Sequence, residues 1–186
     1  MVAPEPWVPT LQGPRCTLRA LQPGDAPAIA RHANDAAVVR NLYDGFPHPY
    51  TLEEAQRWCG GMHREPPFGK VWAITVAGQP AEAIGCAGLV PKEGMHACNA
   101  EVGYWIGQAH WGRGIAADAL DLITRWAWAQ LPQVQRLVAP IFARNLASQR
   151  VAAKAGYVLE ARQPRSLIKA GEAIDVTLYA AYRPAP

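Results

Sequence analysis

The sequence predicts a single α+β domain, and three observations predict it. Its 186 residues are half apolar, enough for one sizeable core and hardly for two. Segments with a period of two alternate along the chain with segments of helical period. The β-rich runs in the middle are separated by short turns, so successive strands pair antiparallel.

The elements follow in order. Residues 15–21 alternate polar and apolar side chains and read as a half-buried strand. Asp25 precedes an Ala-rich helical segment to about Val39, and residues 41–50, with Pro47 and Pro49, form a loop. Thr51 and Glu54 make a capping box that opens a helix to about Arg64. Residues 71–76 and 83–90 are strands joined by a turn at Gly78, Gln79 and Pro80. Gly94 marks the next turn, and residues 100–106 are a fourth strand rich in β-formers. After a loop over 107–113, Ile115, Ala116, Ala119, Leu120, Ile123, Trp126 and Ala127 recur at i, i+3, i+4 spacing, an amphipathic helix that ends before Pro132. A strand over 136–141, a helix over 146–155 capped by Gly156, and strands over 157–162 and 173–182 complete the chain.

Charge excludes several functions. Lys plus Arg number 18 against 15 acids, a formal +3, and the charges are scattered, so nucleic acid is not an expected partner. No uncharged apolar stretch reaches about 18 residues, so no membrane span is expected. Residues 1–12 carry Pro4, Pro6 and Pro9 without a basic or apolar targeting region. They read as a Pro-rich tail of a cytoplasmic protein, with the domain over 13–186. Cys16, Cys59, Cys86 and Cys98 are unevenly spaced and read as reduced thiols. His32, His48, His63, His96 and His110 show no ligand spacing, so the expected metal is none.

Chemistry concentrates where the fourth strand meets the long helix, at Gly107-Gln-Ala-His-Trp-Gly112-Arg113-Gly114. Bare glycine backbone and unsatisfied first-turn N–H groups favour an anion there. A P-loop would need Lys and Ser or Thr after Gly112, where Arg113 and Gly114 stand. A dinucleotide fold would need an acid about 20 residues on, and residues 133–138 hold none.

The third phosphate-binding design fits. Ala100-Glu-Val-Gly-Tyr-Trp-Ile106, His110-Trp-Gly-Arg-Gly-Ile-Ala116, Asn145-Leu-Ala-Ser148, Lys154-Ala-Gly-Tyr157 and Asp175-Val-Thr-Leu-Tyr179, in this order, resemble the GNAT N-acetyltransferases and most closely their RimJ/RimL branch. Ala109 departs from the Gln or Arg common at that position. The resemblance implies a GNAT fold: a mostly antiparallel mixed sheet splayed at its fourth and fifth strands, flanked by about four helices, with acetyl-CoA in the splay.

It also implies roles. Backbone N–H groups around Trp111, Gly112, Arg113, Gly114, Ile115 and Ala116 hold the pyrophosphate. Gly103, Tyr104, Trp105 and Ile106 pair with the pantetheine arm, and Asn145 bonds its amides. Arg113, Arg150 and Lys154 add charge, although solvated surface cations explain them equally well.

Acetyl transfer needs a neutral amine. An α-amine with pKa near 8 is roughly a tenth neutral at pH 7 and a lysine about 0.04%, a difference of some 3 kcal/mol, so an N-terminus asks only for a weak base. Glu101 is the candidate base, acting directly or through water, against a structural ion pair as the alternative. Ser148 matches the hydroxyl that RimL-like members place near the thiolate, against a local helix cap. No tyrosine stands in the helix where many members carry their acid, and Tyr157 reads as core. Tyr43, Phe46 and Tyr50 in the loop before Thr51, and Asp175 in the last strand, are candidates for the acceptor side. A satellite apolar cluster and an edge-strand carboxylate are the competing explanations.

The expected activity is acetyl transfer from acetyl-CoA to a primary amine, a ribosomal-type protein N-terminus or a small molecule. The alternatives are a catalytically silent CoA-binding module and, more remotely, a dinucleotide enzyme. The acceptor, the acyl-chain limit and the oligomeric state, a homodimer included, stay open.

Overall fold

A computed structural model describes residues 8–185. One open sheet of eight strands runs β1-β2-β3-β4-β5-β6-β8-β7. Its strands are β1 (Leu11–Gln12), β2 (Cys16–Arg19), β3 (Lys70–Val76), β4 (Gly85–Pro91), β5 (Asn99–Ile106), β6 (Arg136–Phe142), β7 (Val158–Lys169) and β8 (Glu172–Tyr182). Every neighbouring pair is antiparallel except β5 with β6. A parallel pair needs a crossover, and the helix α4 (Ile115–Gln130) supplies it; α1 (Ala26–Ala33), α2 (Ala36–Val39), α3 (Leu52–Gly60) and α5 (Leu146–Lys154) are the others.

Strand β3 shows why the sheet is central. Trp72 and Ile74 enter one apolar cluster, which takes in Leu120, Ile123 and Ala152 of α4 and α5. Val71 and Ala73 enter a second, with Ile29 and Ala33 of α1 and Ala55 and Cys59 of α3. Successive side chains of a strand alternate faces, so helices cover both sides. The cysteines Cys16, Cys59, Cys86 and Cys98 are free thiols.

The fold matches the expectation with local corrections. The Ala-rich segment is two helices, because Asn34 ends α1 and Asp35 accepts from the Ala37 amide at 2.8 Å to open α2. Only half of the capping box forms: Thr51 Oγ1 accepts from the Glu54 amide at 3.2 Å, while Glu54 pairs with Arg57. Helix α3 stops at Gly60, before the expected Arg64, since Gly61 turns with φ 143°. Strand β7 runs to Lys169 rather than 162. Register shifts between Leu159 and Ala161 and between Gln163 and Leu167 absorb Pro164, which cannot donate to a ladder.

The boundary expected at residue 13 falls inside the packed body. Val8 is buried, the Trp72 indole donates to the Pro9 carbonyl at 2.9 Å, and β1 pairs with β2. Pro4 and Pro6 lie outside the described residues. The expected fourth and fifth strands are β5 and β6, and five α-helices stand where about four were expected.

Candidate active site

The parallel pairing of β5 with β6 covers only Asn99, Ala100 and Glu101 against Arg136, Leu137 and Val138. Beyond it the strands diverge. Residues 103–106 stay on β4 and residues 139–142 on β8, so the two inner edges face an opening. An amide chain can add to such an edge as an extra strand. The Ile106 carbonyl is already taken, since the Trp111 indole donates to it at 2.8 Å, which fixes the turn out of the strand.

That turn leads into the helix α4. Gly112 and Gly114 both have φ 76°, a left-handed conformation that glycine adopts without steric cost. Gly114 is the N-cap and offers no side-chain cap. The first-turn N–H groups of a sixteen-residue helix are therefore left to an external acceptor, where the helix dipole favours negative charge. Arg113 is exposed beside them, and Ile115 and Ala116 are buried at the start of the helix.

Two cations converge on Gly114 from distant parts of the chain. Arg15 donates to the Arg113 carbonyl at 3.2 Å, and Lys154 Nζ lies 3.5 Å from where a Gly114 side chain would start. Both line a cavity of about 170 Å³ with Ala117, Asp118 and Asp121. Asp118 holds the Arg15 segment in place, accepting from the Arg15 and Cys16 amides at 2.8 and 3.0 Å. Sequence reasoning placed Lys154 here and missed Arg15, 99 positions before Gly114; only the β2–α4 packing joins them. Arg150 is exposed on α5, on the turn before Lys154.

Alternation along β5 divides the remaining groups. Tyr104 packs on the α4 and α5 face, Trp105 on the α1 and α3 face. On the first face the Tyr104 hydroxyl lies 2.8 Å from Ser148 Oγ and donates to the Ser148 carbonyl at 3.2 Å. Burial pushes the Tyr104 phenol up to about 12, so it stays protonated at neutral pH. The Ser148 amide donates to Asn145 Oδ1 at 3.1 Å. The Asn145 side-chain oxygen thus caps α5, and its NH₂ is the part left for a ligand. Tyr157 is core: its hydroxyl lies 2.8 Å from Thr124 Oγ1 of α4.

On the second face Glu101 stands on the last paired rung, with Lys92 Nζ 2.8 Å from its Oε2. Its Oε1 has no hydrogen bond among the described residues. Trp105, two positions further along that face beyond Gly103, meets Phe46 edge-on at 5.8 Å, and Phe46 lies 4.9 Å from Tyr50. Tyr50 is 6% exposed and belongs to the core, whereas Tyr43 is 54% exposed; the loop therefore presents Tyr43 outward and uses Tyr50 as its anchor. The loop is tied down at two more points. Arg144 donates to the Arg40 carbonyl at 2.6 Å, and Asp44 accepts from Lys169 and from the Ala170 amide at 2.8 and 2.9 Å. Asp175 is exposed on β8, and its Oδ1 accepts from the Arg165 amide at 2.8 Å, holding the irregular stretch of β7.

These features can be set against known proteins. Residues 15–158 match the acetyltransferase (GNAT) domain family. The chain is a GNAT acetyltransferase. A Bacillus subtilis protein named uncharacterized N-acetyltransferase YoaA is 27% identical over 179 residues, covering 95% of this chain and 98% of that one. The ribosomal-protein-serine acetyltransferase of Escherichia coli is 36% identical over 83 residues, 44% of this chain and 45% of the relative. Mycobacterium smegmatis RimJ, solved with a CoA-disulfide, superposes with a TM-score of 0.80 at 23% identity over 95% of this chain and 88% of its own. The likeness in fold extends to a RimL structure with bound coenzyme A. No helix among the described residues is long and apolar enough to cross a membrane.

One further cluster escaped the sequence. His32 of α1, Glu82 before β4 and His110 after β5 bring ligand atoms within 4.8 Å of one another. Glu82 Oε1 lies 2.6 Å from an Arg31 nitrogen and 2.9 Å from His32 Nε2, and the His32 and His110 rings meet edge-on at 5.3 Å. Burial, then the charges of His32 and Arg113, lower the pKa of His110. No linear spacing could announce three residues spread over 79 positions.

Proposed function

We propose that this acetyltransferase moves the acetyl group of acetyl-CoA to the α-amine of a protein N-terminus by direct attack on the thioester. One observation carries the reading: an unpaired β5 edge runs straight into an uncapped α4 N-terminus flanked by Arg15 and Lys154. An amide arm ending in a diphosphate is complementary to an edge followed by N–H donors and cations. In this reading Asn145 donates its NH₂ to a pantetheine carbonyl, and Gly103, Tyr104 and Trp105 offer backbone to the arm.

The two faces of β5 separate the two proton transfers. Glu101, on the face shared with Trp105 and Phe46, takes a proton from the acceptor ammonium, directly or through a water, and the neutral amine nitrogen then bonds to the thioester carbonyl carbon to form the tetrahedral intermediate. The tetrahedral intermediate then collapses, the C–S bond breaks, and the thiolate departs on the opposite face beside Ser148, whose hydroxyl donates to it. Tyr43 and Phe46 line the acceptor side. Asp175 is given no role in this scheme; its Oδ1 accepts from the Arg165 amide of β7. The E. coli relative is named for a ribosomal-protein serine, which favours a peptide amine over a small-molecule amine.

Thiol release from acetyl-CoA, followed with N-terminal Ser and Ala peptides and with small primary amines, tests the reading. Turnover of the peptides, with Glu101→Gln slowed about 10²-fold at saturating substrate, is the expected result. CoA that raises the melting temperature while no amine releases thiol would instead mark a silent CoA-binding module. Turnover of small amines alone would move the acceptor class. Full activity in Glu101→Gln would leave Glu101 as the structural partner of Lys92.

A further inference from the structure

We propose that His32, Glu82 and His110 form a binding site for a divalent transition-metal ion, with Zn²⁺ the ion its donors suit. Two imidazoles and one carboxylate are the donor set of open zinc sites, which keep a fourth position for water. The three side chains come from three separate segments, and their ligand atoms already lie within 4.8 Å of one another. Around a tetrahedral Zn²⁺ such atoms sit about 3.3 Å apart. The site therefore closes by roughly 1.5 Å at most, on an exposed glutamate and a loop histidine.

Several details point to a ligand rather than to an ion pair alone. Nδ1 of His110 is shielded from solvent without a hydrogen-bond partner among the described residues, an arrangement buried polar atoms seldom keep unless a ligand meets them. His32 is packed so that its Nδ1 faces Gly107, where any side-chain carbon would come within 2.3 Å, and its Nε2 faces Glu82. Glu82 uses only Oε1 for Arg31 and His32, so Oε2 is uncommitted among the described residues. Arg31 then plays the part that outer partners of ligating carboxylates play, holding the group in orientation.

A route and room exist. A cavity of about 440 Å³ lined by Arg31, His32, Asp35, Gln108 and Ala109 opens beside the cluster. The opposing factor is charge, since Arg31 and Arg113 repel a dication; affinity is accordingly moderate. Bound metal would pin α1 and the segment before β4 to the turn that carries the chain from β5 into Gly112 and Gly114, stiffening the approach to the α4 N-terminus. This inference does not depend on the acetyl acceptor or on Glu101.

The test uses the untagged, chelator-treated chain, titrated with ZnCl₂ by calorimetry and with CoCl₂ by absorption. The expected results are one saturable site per chain and Co²⁺ bands of tetrahedral intensity. His110→Ala removes a side chain that makes no hydrogen bond, and should weaken binding about tenfold or more while the protein still melts cooperatively. Glu82→Gln and His32→Ala should do the same, and His96→Ala, an exposed control, should not. Absence of heat and of Co²⁺ bands would overturn the proposal. So would binding that survives His110→Ala and His32→Ala unchanged.

Discussion

Tyr104 and Ser148 show how much one pair of hydroxyls can settle. The α5 helix lacks a tyrosine, yet a phenol reaches its first turn from β5, 2.8 Å from Ser148 Oγ. Because the Ser148 amide is fixed by Asn145, the phenol is what orients the serine hydroxyl, a positioning role rather than a contact with the reacting sulfur. Tyr104→Phe should therefore lower kcat several-fold, roughly 3 to 10, with KM for acetyl-CoA unchanged, while Ser148→Ala should lower kcat about 10²-fold. Steady-state kinetics on the two variants and on the double variant provide the check; a non-additive double variant marks one unit. A rise in KM with kcat intact would assign the pair to cofactor binding. Ser148 was legible only through the resemblance to RimL-like members, and Tyr104 only as strand backbone that the resemblance pairs with the pantetheine arm, since no pattern says which side chain of a strand meets a helix 44 positions away.

At the scale of elements, what was legible is what is local. The β5 strand, the glycine turn and the α4 helix were readable because period, turn residues and helix start lie within about 30 consecutive residues. The length of β7 was not, because Pro164 signals a break that two register shifts absorb, and neither was the division of α1 from α2, where Asp35 caps a helix inside an Ala-rich run. The site depends on how β4 supports β5. A side-chain carbon at Gly85 would lie 2.1 Å from the Trp105 carbonyl and 2.7 Å from Ile106 Cα, whereas one at Gly103 meets nothing within 4 Å. Gly85→Ala must push backbone, and should destabilise by about 3 kcal/mol. Gly103→Ala should leave stability within about 0.5 kcal/mol while weakening CoA binding at the free edge. Urea unfolding alongside CoA titration distinguishes the two; equal loss of stability in both would contradict the close contact at Gly85.

At the scale of the whole molecule, the deeply buried histidine His63 sets an acid limit. His63 is 1% exposed, and both ring nitrogens are assigned. Nδ1–H donates to the Trp58 carbonyl at 2.7 Å, and Nε2 accepts from Arg64 at 3.4 Å. Protonation would expel the Arg64 bond and bury a charge, and burial above all lowers the His63 pKa from 6.5. The sign follows: the unfolded chain takes up this proton first, so stability is complete above pH 6.5 and is lost as pH falls below it, by at most about 1.4 kcal/mol per pH unit for one group. The lowered carboxylates, Asp44, Glu82 and Glu160, lose their contribution only below their ordinary values of 3.8 and 4.5, so the interval between about pH 6.5 and 5 belongs to histidine. His110 shifts in the same direction. Melting temperature should thus decline across that interval. It should decline less in His63→Asn, whose amide can still donate to Trp58 but cannot charge, and least when His110→Gln is added. A wild-type slope retained in the double variant would show that these two rings are not what acid attacks.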